Sequence, residues 1–319
     1  MMRLPFLIPA LLVATTALAA DQNVIDDTGR KVTIPEQPER VVVLHEPALG
    51  IALSDLGLVP VGSYGRDDNG KTLLAVDFLD VVLQSRSPDP KPKGIGALGN
   101  LDLEKLRALE PDLIIGTEYD KDKADLFSAI APVYLQNSST GLVRGFGSEE
   151  ALAGVLNLET EFEERKAQYH ERLEDVRSSL PYNPEGKTYL AIFLTDQINA
   201  VGQLSGAIQA IEDLGYKRLK LDKVEAISGF GATLLVPISS EIFGRLNPDL
   251  LILMSTYTSS ERGEATIRAT LDRIVPGWEH FLKPARENRV LYLDSAEVTT
   301  PTIASAERTL DAFESRFKR

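Results

Sequence analysis

The sequence predicts an α/β protein of two doubly wound, Rossmann-like lobes, each built on a parallel sheet, joined by a single long α-helix. Three observations predict this architecture. The chain has 319 residues, more than one hydrophobic core usually supports. A pattern of amphipathic helix, Pro-Asp and apolar strand occurs twice along the chain. A long stretch with helical periodicity separates the two copies.

Residues 1–19 have the features of a secretory signal peptide. Arg3 supplies a positive charge, an apolar run occupies 4–14, and Ala17-Leu18-Ala19 offers a cleavage site of the small-x-small type. Prolines interrupt the run, which is too short to span a membrane as a helix. We therefore expect an exported protein whose mature part starts near residue 20.

The composition restricts where the mature protein resides and what it binds. The sequence has no cysteine, which excludes disulfides, thiolate metal ligands and the lipidated cysteine of a lipoprotein anchor. An exported, unanchored protein stays near its cell only where an outer membrane retains it, so we expect the periplasm. The formal net charge of −13 disfavours nucleic acid as a partner, although a local arginine cluster could still bind a small anion.

The internal repeat is the most informative feature of the sequence. Residues 101–115 resemble residues 238–252, and Glu104 and Glu241 occupy the same position in the two copies. Upstream of each copy lies an apolar strand and then a helix that ends in Asp-Leu-Gly, where the glycine supplies a left-handed C-terminal cap. The order of elements is thus the same in both halves. Strands that alternate with helices in this way favour a parallel sheet in each half.

One long helix is predicted over residues 148–180, between lobes that occupy 20–147 and 181–319. Ser148 and the two glutamates after it are typical of a helix start, and Pro181 ends the segment. One stripe of the helix, with spacings of three and four residues, is formed by Phe162, Lys166, Tyr169, Leu173, Val176 and Leu180. A single rigid connector predicts only modest closure of the lobes on a ligand.

Signals of catalysis are missing from the sequence. It has no glycine-rich dinucleotide fingerprint, phosphate-binding loop or nucleophile elbow. The histidines His45, His170 and His280 lie far apart, which disfavours a protein that captures a bare metal ion. A two-domain α/β transferase is the rival from another class, although His45-Glu46-Pro47 stands where its phosphate loop belongs. We predict a protein that is not an enzyme and has no resident metal or cofactor.

Ligands of such sheets bind beyond the carboxyl ends of the strands. The candidates near predicted strand ends are His45, Tyr64, Arg66, Tyr119, Arg144, Phe146, Gln197, Phe230 and Tyr257. Guanidinium groups pair with oxyanions and aromatic rings cover apolar surface, so the set suits an anionic, partly aromatic ligand. Any member taken alone is more often a surface arginine or a packed aromatic residue.

With these residues in view, the chain resembles the helical-backbone substrate-binding proteins (class III, cluster A-II) of iron-siderophore, haem and cobalamin importers. The resemblance covers almost the whole mature chain. It is carried by Asp27-Thr28-Gly29-Arg30, Arg40-Val41-Val42, the two helix-Pro-Asp-strand units, the linker segment, Trp278 and Asn288-Arg289-Val290-Leu291-Tyr292. It implies a periplasmic protein that captures a ferric siderophore between its lobes for an ABC importer. Haem or cobalamin stays open as the cargo, with Tyr119, Tyr257 and His45 as candidate contacts for haem.

The resemblance also implies partners. In the family, a glutamate on the exposed surface of each lobe pairs with arginines of the membrane permease, and the matching positions are Glu104 and Glu241. The helix dipole is a simpler explanation for either glutamate alone, but the matched pair favours docking. The expected partners are a permease dimer at the inner membrane and a small iron chelate, with an outer-membrane receptor system upstream. The binding protein itself is expected to be a monomer, and the iron to arrive already chelated.

Overall fold

The structure is a computed structural model, and the residues that it describes are 20–97, 99–138, 145–202, 205–221, 227–228, 234–259 and 261–318. The predicted signal peptide over 1–19 lies outside the described residues, as do the candidate ligand residues Arg144 and Phe230. Within the described part of the chain, no helix is long and apolar enough to cross a membrane.

The N-terminal lobe is built on a parallel sheet, as the sequence predicts. The strands of this half are β1 (Asp21–Ile25), β2 (Lys31–Pro35), β3 (Val41–Val43), β4 (Gly62–Ser63), β5 (Lys93–Gly94), β6 (Gly96–Ala97), β7 (Asn100–Leu101), β8 (Leu113–Thr117) and β9 (Val133–Gln136). The main sheet has the order β5-β4-β3-β8-β9, with all neighbours parallel. Two antiparallel pairs, β1 with β2 and β6 with β7, lie outside it.

Helices cover both faces of this sheet. They are α1 (Ile51–Asp55), α2 (Phe78–Leu83), α3 (Leu103–Ala108), α4 (Ala124–Ser128) and α5 (Gly147–Leu156), and a π-helical turn (Glu46–Gly50) leads into α1. Successive residues of β3 point to opposite faces. Val41 and Val43 join a core cluster with α1 and α5, while Val42 and the following Leu44 join another with α3 and α4. Burial on both faces explains why the strands are continuous apolar runs.

The predicted linker helix over 148–180 is two helices, α5 and α6 (Glu159–Ser179), so the prediction of one helix is wrong. Asn157 ends α5 in the left-handed conformation, with φ 56° and ψ 40°, which asparagine tolerates better than most residues. The predicted apolar stripe is nevertheless confirmed, since Phe162, Tyr169, Leu173 and Val176 are the buried residues of α6. They pack in a core cluster with the C-terminal lobe, whereas α5 contributes to the N-terminal core.

The C-terminal lobe has a mixed sheet. Its strands are β10 (Thr188–Leu194), β11 (Ile198–Val201), β12 (Lys217–Arg218), β13 (Ile227–Ser228), β14 (Leu234–Ile238), β15 (Leu250–Ser255) and β16 (Val290–Leu293). Part of the sheet is parallel, as predicted: β10 pairs with β12 and β15, and β15 pairs with β16. The antiparallel strands β11, β14 and β13 extend it on one side. The connection from β10 to β11 is a tight hairpin turn, which cannot hold the crossover that a parallel pair needs.

Seven helices accompany the C-terminal sheet in the described part of the chain. They are α7 (Gly206–Asp213), α8 (Ser240–Arg245), α9 (Glu264–Ile274), α10 (Trp278–Phe281), α11 (Lys283–Arg286), α12 (Ser295–Val298) and α13 (Ile303–Phe317). The last of them, α13, packs against α6 and α7 and also reaches α1 and α2 of the N-terminal lobe.

The repeated Pro-Asp unit has the same structural role in both lobes. The carboxylate of Asp112 accepts hydrogen bonds from the backbone N–H groups of Glu39 (2.7 Å) and Arg40 (2.9 Å), just before β3. The carboxylate of Asp249 accepts from the backbone N–H (2.9 Å) and the hydroxyl (3.0 Å) of Thr188, at the start of β10. Each aspartate thus ties its own strand to the parallel neighbour, which confirms the internal repeat.

The lobes meet directly at a contact that we call the inter-lobe joint. Phe78 and Leu79 of α2 pack in one cluster with Ala296 and Ala304 of α12 and α13. At the N-terminus of α13, the backbone N–H of Ile303 donates to Glu149 (2.7 Å) and that of Ala304 donates to Asp55 (2.9 Å). Two acidic side chains, Asp55 of the N-terminal lobe and Glu149 of α5, therefore accept hydrogen bonds from the N-terminus of a helix of the C-terminal lobe.

Arginines complete the inter-lobe joint. Arg86 of the N-terminal lobe and Arg165 of α6 each pair with both Asp55 and Glu307. Because Asp55 lies in the N-terminal lobe and Glu307 on α13, these ion pairs link the N-terminal lobe to α6 and α13. The side chain of Asp55 is wholly buried. The lobes are thus joined by direct packing and ion pairs as well as by the connector.

Candidate ligand-binding cleft

The carboxyl ends of the strands bring several predicted ligand residues to one edge of each lobe. His45 follows β3, Tyr64 follows β4 and Tyr119 follows β8 in the N-terminal lobe. In the C-terminal lobe, Gln197 lies in the turn after β10 and Tyr257 follows β15. Parallel strands end at the same edge of a sheet, which is where ligands of doubly wound sheets bind.

Aromatic side chains from the two lobes meet at these edges. The rings of Phe78 and Tyr257 lie 5.7 Å apart in an edge-to-face arrangement, across the lobe boundary. The rings of His45 and Tyr64 lie 5.5 Å apart on the N-terminal side. Burial raises the pKa of Tyr64, and the charge of Glu46 adds to the effect. These four rings define the candidate cleft.

The exposed tyrosines of the cleft differ from the buried ones. Tyr119 and Tyr257 are 52% and 42% exposed, although each is a large aromatic residue. Tyr64 is buried. Exposed aromatic faces at the mouth of a cleft can stack on a flat or apolar part of a ligand.

His45 is held in place by the turn that it starts. Its Nδ1 accepts a hydrogen bond of 3.1 Å from the backbone N–H of Ala48, which caps the π-helical turn. An Nδ1 that accepts leaves the proton of a neutral imidazole on Nε2. Burial lowers the pKa of His45 to about 4, although the charge of Glu118 opposes the shift, so the ring is neutral at pH 7.

Arg66 was predicted to bind an anionic ligand, and the structure gives it another role. Its side chain is wholly buried, and its guanidinium donates to Glu46 (2.6 and 2.7 Å), to Asp77 (2.7 and 2.9 Å) and to the carbonyl of Gly70 (2.7 Å). Burial alone would lower the pKa of Arg66, but these carboxylates outweigh it and raise the pKa. All three nitrogens have protein acceptors, so the guanidinium is not open to a ligand.

Phe146 is also corrected by the structure. Its ring packs 5.5 Å from that of Tyr169 and 6.2 Å from that of Phe162, in the core between α5 and α6. Phe146 is therefore a core residue and not a ligand contact. Gln197 is exposed in the hairpin turn, at the rim of the cleft.

Two residues that the sequence did not single out belong to this region. Phe78 makes the contact between the lobes, and Asp77 both pairs with Arg66 and caps α2 through the backbone N–H of Asp80. The signal in the sequence was an aspartate directly before an apolar helical segment, a typical N-cap. This pattern predicts that a helix starts at Asp77, but it does not predict that the Asp77 carboxylate pairs with Arg66.

Glu104 and Glu241 occupy matched places in the structure. Each is exposed in the first turn of a six-residue helix, α3 or α8, after an N-cap formed by Asp102 or Ser239. Each helix precedes a strand of its sheet, so its N-terminus lies toward the carboxyl edge. Glu241 pairs with Arg245 (2.6 Å), whereas Glu104 has no ion pair among the described residues. Their role in docking stays a prediction.

Metal-ligating side chains do not converge in the described ranges. No group of three or more histidine, aspartate, glutamate or cysteine side chains there is arranged to hold a metal ion.

Comparison with known proteins finds relatives whose names describe the binding of iron complexes. The chain is 27% identical over 237 residues to the Fe(3+)-citrate-binding protein YfmC of Bacillus subtilis, covering 73% of this chain and 68% of that protein. It is 26% identical over 277 residues to the petrobactin-binding protein YclQ of the same organism, covering 85% of this chain and 79% of that protein. It is 22% identical over 303 residues to the ferric-anguibactin-binding protein FatB of Vibrio anguillarum, with 90% and 85% covered.

Solved structures show the same fold. The crystal structure of Staphylococcus aureus SirA complexed with staphyloferrin B matches with a TM-score of 0.66 and 17% identity, covering 92% of this chain and 98% of that one. The crystal structure of YclQ from Bacillus subtilis matches with a TM-score of 0.66 and 20% identity, covering 94% and 99%. The two-lobed α/β architecture is thereby confirmed.

The family is shown by a sequence profile. The profile of the family described as periplasmic binding protein matches residues 69–297, which include most of both lobes and the connector between them. The chain therefore belongs to the periplasmic binding protein family, as the resemblance of its sequence indicates.

Proposed function

We propose that this protein captures a ferric siderophore in the cleft between its lobes and delivers it to an ABC importer. The observation that carries the proposal is the contact of Phe78 with Tyr257 across the lobe boundary, beside Tyr64 and His45. Aromatic rings from both lobes thus line the place where ligands of such sheets bind. The relatives named above bind iron chelates, which gives the ligand class.

The proposed activity is binding without covalent chemistry. Iron that arrives chelated has its coordination sites filled by the siderophore, so we propose no resident metal, cofactor or catalytic residue in the protein. The protein then contributes shape, aromatic surface and polar contacts to the outside of the chelate.

We further propose export to the periplasm without a lipid anchor, in line with the predicted signal peptide and the lack of cysteine. The protein acts there as a monomer, downstream of an outer-membrane receptor system. Glu104 and Glu241 dock the two lobes on the permease dimer at the inner membrane. Their support is geometric, since both are exposed in the first turns of equivalent helices. Charge pairs at such a rim set orientation and association rate more than affinity.

Calorimetric titration of the purified protein with ferric siderophores tests the proposal. We expect dissociation constants in the micromolar range or below for at least one chelate, and Phe78→Ala and Tyr257→Ala should each weaken binding about 10-fold. Phe281→Ala is the matched control, because Phe281 is 45% exposed on α10 of the C-terminal lobe, outside the strand-edge loops. Calorimetry is preferable to fluorescence, since the single tryptophan, Trp278, is buried in a core cluster.

Haem binding is the alternative outcome of the same experiment. Tyr119 and Tyr257 are exposed phenols that could ligate haem iron. A Soret band after haem addition that disappears in Tyr119→Ala or Tyr257→Ala, together with no heat from ferric siderophores, would replace the siderophore proposal. Binding of neither ligand class would overturn the assignment of the cleft.

A further inference from the structure

We propose that Arg66 is a positioning residue of the cleft, whose buried guanidinium fixes the loops that carry His45, Tyr64 and Phe78. This inference rests on the proposed function and adds to it a residue that determines affinity without contacting the ligand. Aromatic rings on loops contribute fully to binding only when they are held in the orientation that the ligand meets. The contacts of Arg66 account for that orientation in three of the four rings that define the cleft.

The guanidinium of Arg66 is saturated by its own lobe. An arginine carries five N–H groups in a planar, rigid fork. Nε and Nη2 donate to the two carboxylate oxygens of Glu46, at 2.6 and 2.7 Å. Nη1 and Nη2 donate to the two oxygens of Asp77, at 2.9 and 2.7 Å, and Nη1 also donates to the carbonyl of Gly70, at 2.7 Å. Hydrogen bonds to one rigid group thus hold separate segments of the chain in fixed relative positions.

Both acidic partners are direct chain neighbours of a cleft ring. Glu46 follows His45 and is the first residue of the π-helical turn. Asp77 precedes Phe78 and caps α2. Adjacent residues are joined by a rigid peptide plane, so a carboxylate held in place also restricts the backbone that carries the ring. The two bidentate pairs therefore restrict where His45 lies in the cleft and where Phe78 meets Tyr257.

The third ring, that of Tyr64, lies on the loop that carries Arg66 itself. Tyr64 is two residues before Arg66, and β5 lies beside this loop. The backbone N–H of Gly94 in β5 donates to the carbonyl of Asp67 (2.9 Å). A Cβ on Gly94 would lie 1.8 Å from the carbonyl oxygen of Arg66, so a glycine is needed for the two backbones to approach this closely. The loop is thus held both by its backbone and by its guanidinium.

Loss of the guanidinium should release these loops. Glu46 and Asp77 would then be two acids of a buried site without their cation. Burial raises the pKa of Glu46, the hydrogen bond and charge of Arg66 oppose this shift, and the charge of Asp77 adds to it. The two acids would therefore repel each other or take up a proton, and in either case they would no longer bind a common group. A ligand would then have to order the rings itself, which lowers affinity about 2- to 10-fold for each side chain.

Calorimetric titration with ferric citrate, ferrichrome and ferric enterobactin tests the inference, at a temperature where every variant is folded. We expect Arg66→Met to weaken binding of the tightest of these chelates about 10-fold or more. Arg66→Lys keeps the charge but has three N–H groups and no planar fork, so it should weaken binding about threefold.

Leu113→Ala is the matched control for stability. Leu113 is wholly buried at the start of β8, at the opposite edge of the same lobe, so its loss destabilises the lobe without touching the network. We expect this variant to bind the chelate as the unmodified protein does. If Leu113→Ala weakens binding as much as Arg66→Met, affinity follows the stability of the lobe and the inference is wrong.

An NMR titration of the His45 imidazole reports the position of a ring without any ligand. Burial lowers the pKa of His45 to about 4. In Arg66→Met the ring should gain access to water, so its pKa should rise toward 6.5, whereas Leu113→Ala should leave it near 4. An unchanged pKa in Arg66→Met would overturn the inference whatever the affinities. If the unmodified protein binds none of the three chelates, the proposed function fails, and the titration still decides the role of Arg66.

Gly94→Ala tests the same network with every charge retained, and it decides the question if Arg66→Met does not fold. The added Cβ would meet the backbone of Arg66, so the loop must shift, and we expect binding to weaken about 3- to 10-fold. Gly154→Ala on α5 is the matched control, because a Cβ there has no atom within 4 Å. Equal affinities of the two glycine variants would contradict the proposed role of Arg66.

Discussion

Asp112 in the N-terminal lobe and Asp249 in the C-terminal lobe have the same structural role at the amino ends of their sheets. The loops at the carboxyl ends of the two sheets, in contrast, differ between the lobes. Both aspartates bind the backbone at the start of the neighbouring parallel strand. At the carboxyl edges, the N-terminal lobe buries Arg66 between two carboxylates, while the C-terminal lobe has a partly exposed ion pair, Arg262 with Asp294. The two lobes are alike where the strands begin and differ at the candidate cleft, where the strands end.

This difference gives the two sides of the cleft different rigidity. The N-terminal edge contains a buried ion network, which fixes the positions of Arg66, Glu46 and Asp77. The ion pair of the C-terminal edge, Arg262 with Asp294, is partly exposed, so water competes for its charges. The inter-lobe joint holds the two edges at a set separation. We therefore expect binding energy to come from both lobes, but folding stability at the edges to come mainly from the N-terminal one.

The largest expected effect is the loss of Arg66. Arg66→Met leaves Glu46 and Asp77 without their cation in a buried site, and should lower the free energy of unfolding by about 3 to 5 kcal/mol. Arg262→Met is the matched change in the other lobe, where the pair with Asp294 is partly exposed, and should cost about 1 kcal/mol or less. Urea denaturation measures both. If both variants lost the same free energy of unfolding, the two edges would not differ in stability as proposed.

The inter-lobe joint should show the next effect. Asp55 accepts from Arg165 (3.1 Å) and from the backbone N–H of Ala304 (2.9 Å), and pairs with Arg86 as well. Asp55→Asn should therefore lower the free energy of unfolding by about 2 to 3 kcal/mol. Thermal denaturation would measure the loss.

Glu149 is the control within the same joint. Burial, and after it the charge of Asp55, raises the pKa of Glu149 well above its ordinary value. Its stabilising contribution is complete below the unfolded pKa and declines as pH rises toward the folded one. Glu149→Gln, which resembles the protonated acid, should be nearly neutral and should remove that decline. A loss for Glu149→Gln as large as for Asp55→Asn would contradict the assignment of the proton.

A smaller effect is expected at the matched aspartates. The hydrogen bond from Lys283, and after it that from the backbone of Thr188, lowers the pKa of Asp249 to about 2. Asp249→Asn and Asp112→Asn should each lower the free energy of unfolding by about 1 kcal/mol at pH 7. The contribution of Asp249 is present above its unfolded pKa and is lost as pH falls toward 2. Denaturation at pH 7 and at pH 2.5 should show a smaller acid loss for Asp249→Asn than for the unmodified protein.

The smallest effect on stability belongs to Glu104 and Glu241. Both are exposed, so Glu104→Gln and Glu241→Gln should each change the free energy of unfolding by less than about 0.5 kcal/mol. Transport into vesicles that contain the cognate permease should nevertheless fall, and most strongly in the double variant. Glu163→Gln on α6 serves as the charge control. Full transport by the double variant would remove the docking role from both residues.

The sequence by itself determined the features that local patterns encode. Helix-Pro-Asp-strand units, Asp-Leu-Gly helix ends and apolar strands were enough to predict two lobes and their repeat, because they depend on backbone propensity and hydrophobic period. Gly57 and Gly215 confirm the predicted helix ends, with φ of 89° and 109°. The buried stripe of α6 was predictable for the same reason.

Only the tertiary structure decided which partners the side chains find. Arg66 was predicted to contact the ligand, but it forms ion pairs with Glu46 and Asp77. Phe146 was predicted to do the same, but it packs in the core between α5 and α6. Asp55 meets the backbone of Ala304, 249 residues away in the sequence. A long polar or aromatic side chain can serve a ligand or its own protein equally well. The choice depends on loops and helices that a local pattern cannot bring together.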